Sequence, residues 1–231
     1  TVDGAGGGTG MSPWHMMNEW GVPTLYIASL TYNYVHKLAL KGQYVPDIIL
    51  AGGFAFEDDI FKAMALGAPY VKAVGMARSP LRAAYVGKLI AEQINKNAID
   101  KTIEPYGKTT DEIFVLASRV KRLFGSKGKE VPAGALGVYS YYQRLSQGLR
   151  QLMCGSRKFA LEYLTRDDVV TLTRDAAEVT GLKYIMEADS EEAEQILMGK
   201  EKIKSKIVAK VKPKATSKPR AKSKDKGKKK K

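Results

Sequence analysis

AGGFAFEDDIFKAMALGAPYVKAVGMARSP, residues 51–80, contains two strand-like runs that each stop at glycine, with a helix-like segment between them. Ile48-Ile49-Leu50-Ala51 is a short continuous apolar run ending at Gly52-Gly53, as expected for a strand of a parallel sheet covered on both faces. Residues 58–66 read as a helix closed by Gly67, and residues 70–74 as a second short strand ending at Gly75. Ser79-Pro80 combines a cap residue with a first-turn proline and opens a helix to about Asn95. The repeated order of strand, glycine loop and helix predicts right-handed crossovers and a parallel sheet, open or closed. Glycine lets the backbone approach a ligand that a Cβ would keep away. At the carboxyl end of a barrel, the loops after the seventh and eighth strands and a helix N-terminus form a phosphate cradle from main-chain N–H groups. Gly52, Gly53, Gly75 and Met76 are the candidate donors. One such glycine site alone marks no more than a tight turn, but two sites one βα unit apart favour the cradle.

Upstream, Thr1-Val2-Asp3 reads as the end of a buried strand entering a glycine loop, which predicts that more of that strand precedes Thr1 and that the chain is part of something longer. Ser12-Pro13 starts a short helix that stops by Gly21, and residues 25–41 carry apolar residues at helical spacing up to Gly42. Beyond residue 100 the pattern is helical. Thr110 and Glu112, followed by Ile113, Leu116, Val120 and Leu123, predict one amphipathic helix, and residues 139–152 a second. Thr165 to Asp168 has the outline of a capping box ahead of Val169, Leu172, Ala176 and Val179, with Gly181 as the stop. Ser190 opens a last short helix before Gly199. Residues 200–231 alternate Lys with Ser, Ala and Pro; too little apolar surface is available to offset the entropy of ordering, which predicts disorder.

The net charge of +14 resides entirely in that tail, where 16 Lys or Arg stand against Glu201 and Asp225. Residues 1–199 are neutral, so the high isoelectric point says nothing about what the folded part binds. A single cysteine, Cys154, excludes an intrachain disulfide and any multi-cysteine zinc or iron-sulfur site from this chain alone, and it reads as a small buried residue. No apolar run approaches the ~20 residues that span a bilayer, which predicts a cytoplasmic protein. His15 and His36 lack metal-ligand spacing and read as surface or helix-packing residues. Glu57, Asp58 and Asp59 are the acids expected in a first helical turn, and Tyr139, Tyr141 and Tyr142 read as packing between helices.

Residues 52–68 resemble the GG-I-x-x-x-x-D-I-x-K-A-x-x-L-G-A signature of phosphate-binding barrels, which include glutamate synthase, hydroxyacid oxidases and inosine monophosphate dehydrogenase. Asp59, Ile60, Lys62, Ala63, Gly67 and Ala68 fall on it. The opening DGAGGGTGMSP resembles the DG-x-x-GGTG-A-x-P stretch of the glutamate synthase flavin domain, with Asp3, Gly4, Gly7, Gly8, Thr9, Gly10 and Pro13 in place. Residues 147–159 and 164–181 resemble a helical extension of short, stand-alone relatives of that enzyme. There are departures. Ala55 stands where hydroxyacid oxidases carry Arg, leaving Arg78 as the nearest cation for a phosphate, and residues 79–110 lack the cysteine triad that holds an iron-sulfur cluster in glutamate synthase.

The resemblance implies an α/β chain forming the C-terminal portion, about three strands, of a (β/α)8 TIM barrel, with appended α-helices and a disordered basic tail. It divides the chain into residues 1–98 as barrel, 99–199 as helical extension and 200–231 as tail. FMN is the implied cofactor, with Gly8, Thr9 and Gly10 near the isoalloxazine or substrate edge and Gly52, Gly53, Gly75, Met76 and Arg78 at the phosphate. The implied activity is that of an FMN-dependent oxidoreductase, incomplete in this chain alone. Its implied partners are the upstream part of the barrel and an electron-donor protein or domain, with self-association through open strand edges. Two other readings stand beside this one: a barrel enzyme for another phosphorylated ligand, and a non-catalytic scaffold whose tail binds polyanions weakly.

Overall fold

The computed structural model describes residues 1–5, 13–15 and 19–199. Residues 1–188 form one compact unit, and a second begins at Asp189. The described strands are β1 (Val2–Asp3), β2 (Ile48–Ala51) and β3 (Val71–Gly75), hydrogen-bonded in that order. Both pairings are parallel, with Val2 beside Leu50, Leu50 beside Val74, and Ala51 beside Gly75. Helix α1 (Thr24–Leu40) crosses from β1 to β2, and α2 (Glu57–Leu66) from β2 to β3. α3 (Arg78–Asn95) follows β3. The chain is therefore mixed α/β with a small parallel sheet, as the alternation in residues 51–80 predicts.

Ile48, Leu50 and Val71 are buried in one core with Ala28 and Val35 of α1 and Phe61, Met64 and Leu66 of α2. Both crossover helices thus cover the same face of the sheet. That follows from sequential strand order: right-handed crossovers that keep moving in one direction put every helix on one side. The other face departs from the expectation of double coverage. Asp3 and Ala73 are exposed there, and Ile49, in the middle of β2, is 37% exposed.

The helical extension has its own core. α4 (Thr110–Ile113), α5 (Ala117–Leu123) and α6 (Ala133–Gly155) bring Phe114, Ala117, Val120 and Leu136 together with Ile90 of α3. α6 reaches both cores, since Met153 lies in the first. α3 and α6 meet at small residues: a Cβ on Gly87 would stand 3.1 Å from the Cα of Gly137, and one on Gly134 would stand 2.9 Å from the carbonyl oxygen of Ala84. Backbones this close have no room for a larger side chain.

Two predicted helices differ. Residues 110–123 form two pieces, because Leu116 is left-handed at φ 58°. The run Ile113-Phe114-Val115 is poor helix former, and the break buries Phe114 while Leu116 stays exposed. At Thr165 the capping box exists, with the Asp168 carboxylate accepting from the Thr165 N–H at 2.7 Å, but it closes a single 3-10 turn, Arg166–Asp168. The β-branched run Val169-Val170-Thr171 then goes extended and bridges to Tyr184, and α7 (Arg174–Thr180) begins at a second cap, Thr173. Arg166 pins this segment down: it donates to the carbonyls of Leu66 and Thr180 and lies 3.9 Å above the Tyr32 ring. His36 stacks on the same ring and meets the Tyr70 hydroxyl at 2.9 Å, a packing role.

Cys154 is exposed rather than buried, because it lies off the Leu145, Leu149 and Met153 face that α6 turns inward. In the second unit, α8 (Ser190–Leu197) starts and stops as predicted. The Lys-rich tail lies outside the described residues, as do residues 12 and 16–18 of the helix expected from Ser12-Pro13. Among the described residues, no helix is long and apolar enough to cross a membrane.

Candidate functional site at the carboxyl ends of the strands

Parallel pairing puts the carboxyl ends of β1, β2 and β3 side by side, so the loops that follow them share one edge of the sheet. The Gly4 N–H donates to the Ala51 carbonyl at 3.0 Å, and Thr24 Oγ1 lies 2.7 Å from the Gly52 carbonyl and 3.1 Å from that of Ala5. A hydroxyl has one proton, so the shorter of these contacts, to Gly52, takes the larger share of it. Gly52 has φ 129° and Gly53 φ 85°, conformations in which other residues are strained. A Cβ on Gly52 would also run into Thr24 and come within 2.9 Å of the Gly4 nitrogen. At Gly75 the constraint is contact instead, with a Cβ placed 3.1 Å from that of Ala51.

Peptide planarity turns these bonds into directions, because the C=O of one residue and the N–H of the next share a plane and point oppositely. Holding the Ala51 and Gly52 carbonyls toward Gly4 and Thr24 aims the N–H groups of Gly52 and Gly53 the other way. Farther on, one oxygen of Asp59 accepts from the N–H groups of Ala55 and Phe56, each at 3.0 Å. This is the reciprocal half of a capping box; Phe56, at the cap position, has no acceptor to supply the other half.

The two helix starts at this edge have opposite electrostatics. α2 carries Glu57, Asp58 and Asp59 in its first turn, and Asp59 accepts from the N–H of Phe56, the residue at its cap position. The 2.7 Å hydrogen bond from Lys62 holds the Asp58 carboxyl below the usual carboxylate range. α3 has no acid in its first turn, no side-chain cap, and Arg78 as its exposed first residue. An anion at this edge is repelled by the start of α2 and attracted by the start of α3.

Of the residues singled out in the sequence, Gly52 and Gly53 end β2, while Gly75, Met76 and Arg78 join β3 to α3 beside them. Gly8, Thr9 and Gly10 lie outside the described residues. Four further residues hold this edge, of which Asp59 falls on the phosphate-barrel signature and Thr24 and Tyr141 carried no sequence signal for it. Thr24 and Asp59 act as described above. Ser79, predicted as a helix cap, sits inside the first turn and donates to the Phe54 carbonyl at 3.0 Å. Tyr141 donates to the Ala55 carbonyl at 2.6 Å across 86 residues of sequence. Glu57 packs against Gly148 of α6, with one carboxylate oxygen buried and unbonded. No group of three His, Cys, Asp or Glu among the described residues is arranged to hold a metal ion.

The family model for a conserved region in glutamate synthase matches residues 1–85. Residues 1–85 are therefore similar to a conserved region of glutamate synthase. This glutamate synthase-like region takes in all three described strands, both glycine loops and the start of α3 as far as Tyr85. Residues 86–231, and with them Tyr141, lie beyond it. No curated protein and no solved structure matches the chain.

Proposed function

We propose that the glutamate synthase region is the closing part of an FMN-binding (β/α)8 barrel in a glutamate synthase-like oxidoreductase, with residues 99–199 as an added helical layer. The observation that carries this reading is the arrangement at the carboxyl edge. Three parallel strands end there in glycine beside a helix start that has no acid, no cap and an arginine. Sequential strand order with both crossover helices on one face is the winding of a barrel, and the uncovered face around Ile49, Ala51 and Ala73 has the position of a barrel interior. A closed barrel needs further strands beyond these three in this reading.

The edge fits a phosphate monoester. The N–H groups of Gly52, Gly53 and Met76 and the start of α3 grip it, Arg78 supplies charge, and the acids of α2 keep it to the α3 side. Bound flavin would supply the electron transfer. This chain's own residues orient it through its phosphate, and a separate donor protein or domain delivers the electrons. The decisive experiment is the flavin content of the full natural polypeptide. One FMN released per chain on denaturation is expected; a colourless protein that binds another phosphorylated compound would replace flavin with that ligand, and binding of neither would overturn the cradle.

The tail is assigned a separate role. It carries the whole net charge, so any binding to a polyanion is expected to vanish on truncation after Gly199 and to weaken steeply with salt. Binding that survives truncation would place the site on the neutral body.

A further inference from the structure

We propose that Tyr141 is a positioning residue for the glycine loop after β2, so that the helical extension acts on the phosphate site through one hydroxyl. The inference rests on the cradle reading above. Its geometry comes from two consecutive peptide planes, each held at both ends. The Phe54–Ala55 plane is held at its carbonyl by Ser79 Oγ, 3.0 Å away, and at its N–H by Asp59. The Ala55–Phe56 plane is held at its carbonyl by Tyr141 Oη, 2.6 Å away, and at its N–H by the same carboxylate oxygen. Upstream, Thr24 holds the Gly52 carbonyl. Gly53, exposed and at φ 85°, is the pivot between these two fixed ends.

Ser79, Asp59 and Thr24 all belong to the glutamate synthase region; Tyr141 alone comes from outside it. α6 is seated for the task. Gly148, two turns beyond Tyr141 on the same helix face, makes room for Glu57 at the start of α2, where a Cβ would fall 2.6 Å from the Glu57 side chain. The Tyr141 ring also stands edge-on to Tyr142 at 5.5 Å, so its direction is set by packing as well as by the bond. Burial raises the Tyr141 hydroxyl above the ordinary tyrosine range, with Ser79 working in the opposite sense, so it remains a proton donor throughout the physiological range. Without this donor, the Ala55 carbonyl is released and the loop regains rotation about Gly53.

The test compares Tyr141→Phe, which keeps the ring, with Tyr142→Phe as a control that removes a neighbouring hydroxyl from the same helix. Two readouts are taken in the full natural polypeptide: hydrogen exchange of the Gly52, Gly53 and Phe54 amides, and the dissociation constant for FMN. Tyr141→Phe is expected to speed exchange at these amides and to weaken FMN about tenfold, while the control changes neither and both variants keep the wild-type melting temperature. Faster exchange in a protein that binds no FMN keeps the positioning role and overturns the flavin reading. Unchanged exchange in Tyr141→Phe overturns the positioning role, whatever the flavin does. Equally faster exchange or equally weakened FMN binding in the control would also overturn it, because the effect would then belong to helix packing.

Discussion

If the glycine loops hold FMN as proposed, replacing Gly53 with valine is expected to abolish flavin binding while leaving the protein folded. Gly53 is exposed, so a larger side chain meets no core, and the only structural cost is local: a β-branched residue at φ 85° is strained by about 1–3 kcal/mol. The loop relieves that strain by rotating, because Gly53 is the joint between the Gly52 carbonyl held by Thr24 and the two peptide planes held by Ser79, Tyr141 and Asp59. Rotation turns the Gly53 N–H away from the phosphate, and the valine side chain then occupies the approach. Each charge-assisted bond lost is worth about 1.5–3 kcal/mol, so affinity is expected to fall on the order of a hundredfold or more. Gly75→Val should do the same by another route. A Cβ added at Gly75 would stand 3.1 Å from that of Ala51, so the branched chain pushes β3 from β2 where the two loops must meet. Flavin per chain and the melting temperature decide the matter together. Normal flavin in both variants would remove the glycine loops from the site.

Gly137→Val is expected to be strongly destabilising in the helical layer. A Cβ at Gly137 would lie 2.5 Å from the Ala83 carbonyl oxygen and 3.1 Å from the Gly87 Cα, and both are backbone atoms that cannot swing aside. α3 and α6 must separate, and the contacts of Leu136, which is 2% exposed, with Ile90, Val120 and Phe114 loosen with them. Overpacking costs typically 1–3 kcal/mol, and adding the loosened core should bring the loss to about 3 kcal/mol or more. Gly155→Ala is the control. It lies at the end of the same helix with nothing within 4 Å of the added methyl, and its effect should be near zero or slightly stabilising. Denaturant unfolding of the two variants measures both outcomes; similar midpoints would mean that the close crossing of α3 and α6 does not hold the layer together.

These two expectations also mark how far the amino-acid sequence carries. The alternation of apolar run, glycine pair and helical segment in residues 51–80 determined β2, α2, β3 and the start of α3 to within a residue or two, because strand, turn and cap are set by neighbours in the chain. The same local chemistry determined that Gly52, Gly53, Gly75, Met76 and Arg78 lie at strand ends. Where local preference is divided, it misled. Ile113-Phe114-Val115 and Val169-Val170-Thr171 each sit inside an apolar spacing that reads as helical, yet their β-branched and aromatic side chains favour extended backbone, and burial of Phe114 settled the first case.

Only the tertiary structure decided what holds the carboxyl edge in place. Thr24 reaches the Gly52 carbonyl from 28 residues away and Tyr141 reaches Ala55 from 86, and no periodicity or motif in either segment encodes a hydrogen bond whose partner is chosen by packing. It also decided that one face of the sheet is covered and the other bare. A continuous apolar run reads the same whether its second face meets helices or a barrel interior, since alternation distinguishes apolar from polar surroundings and not one apolar neighbour from another.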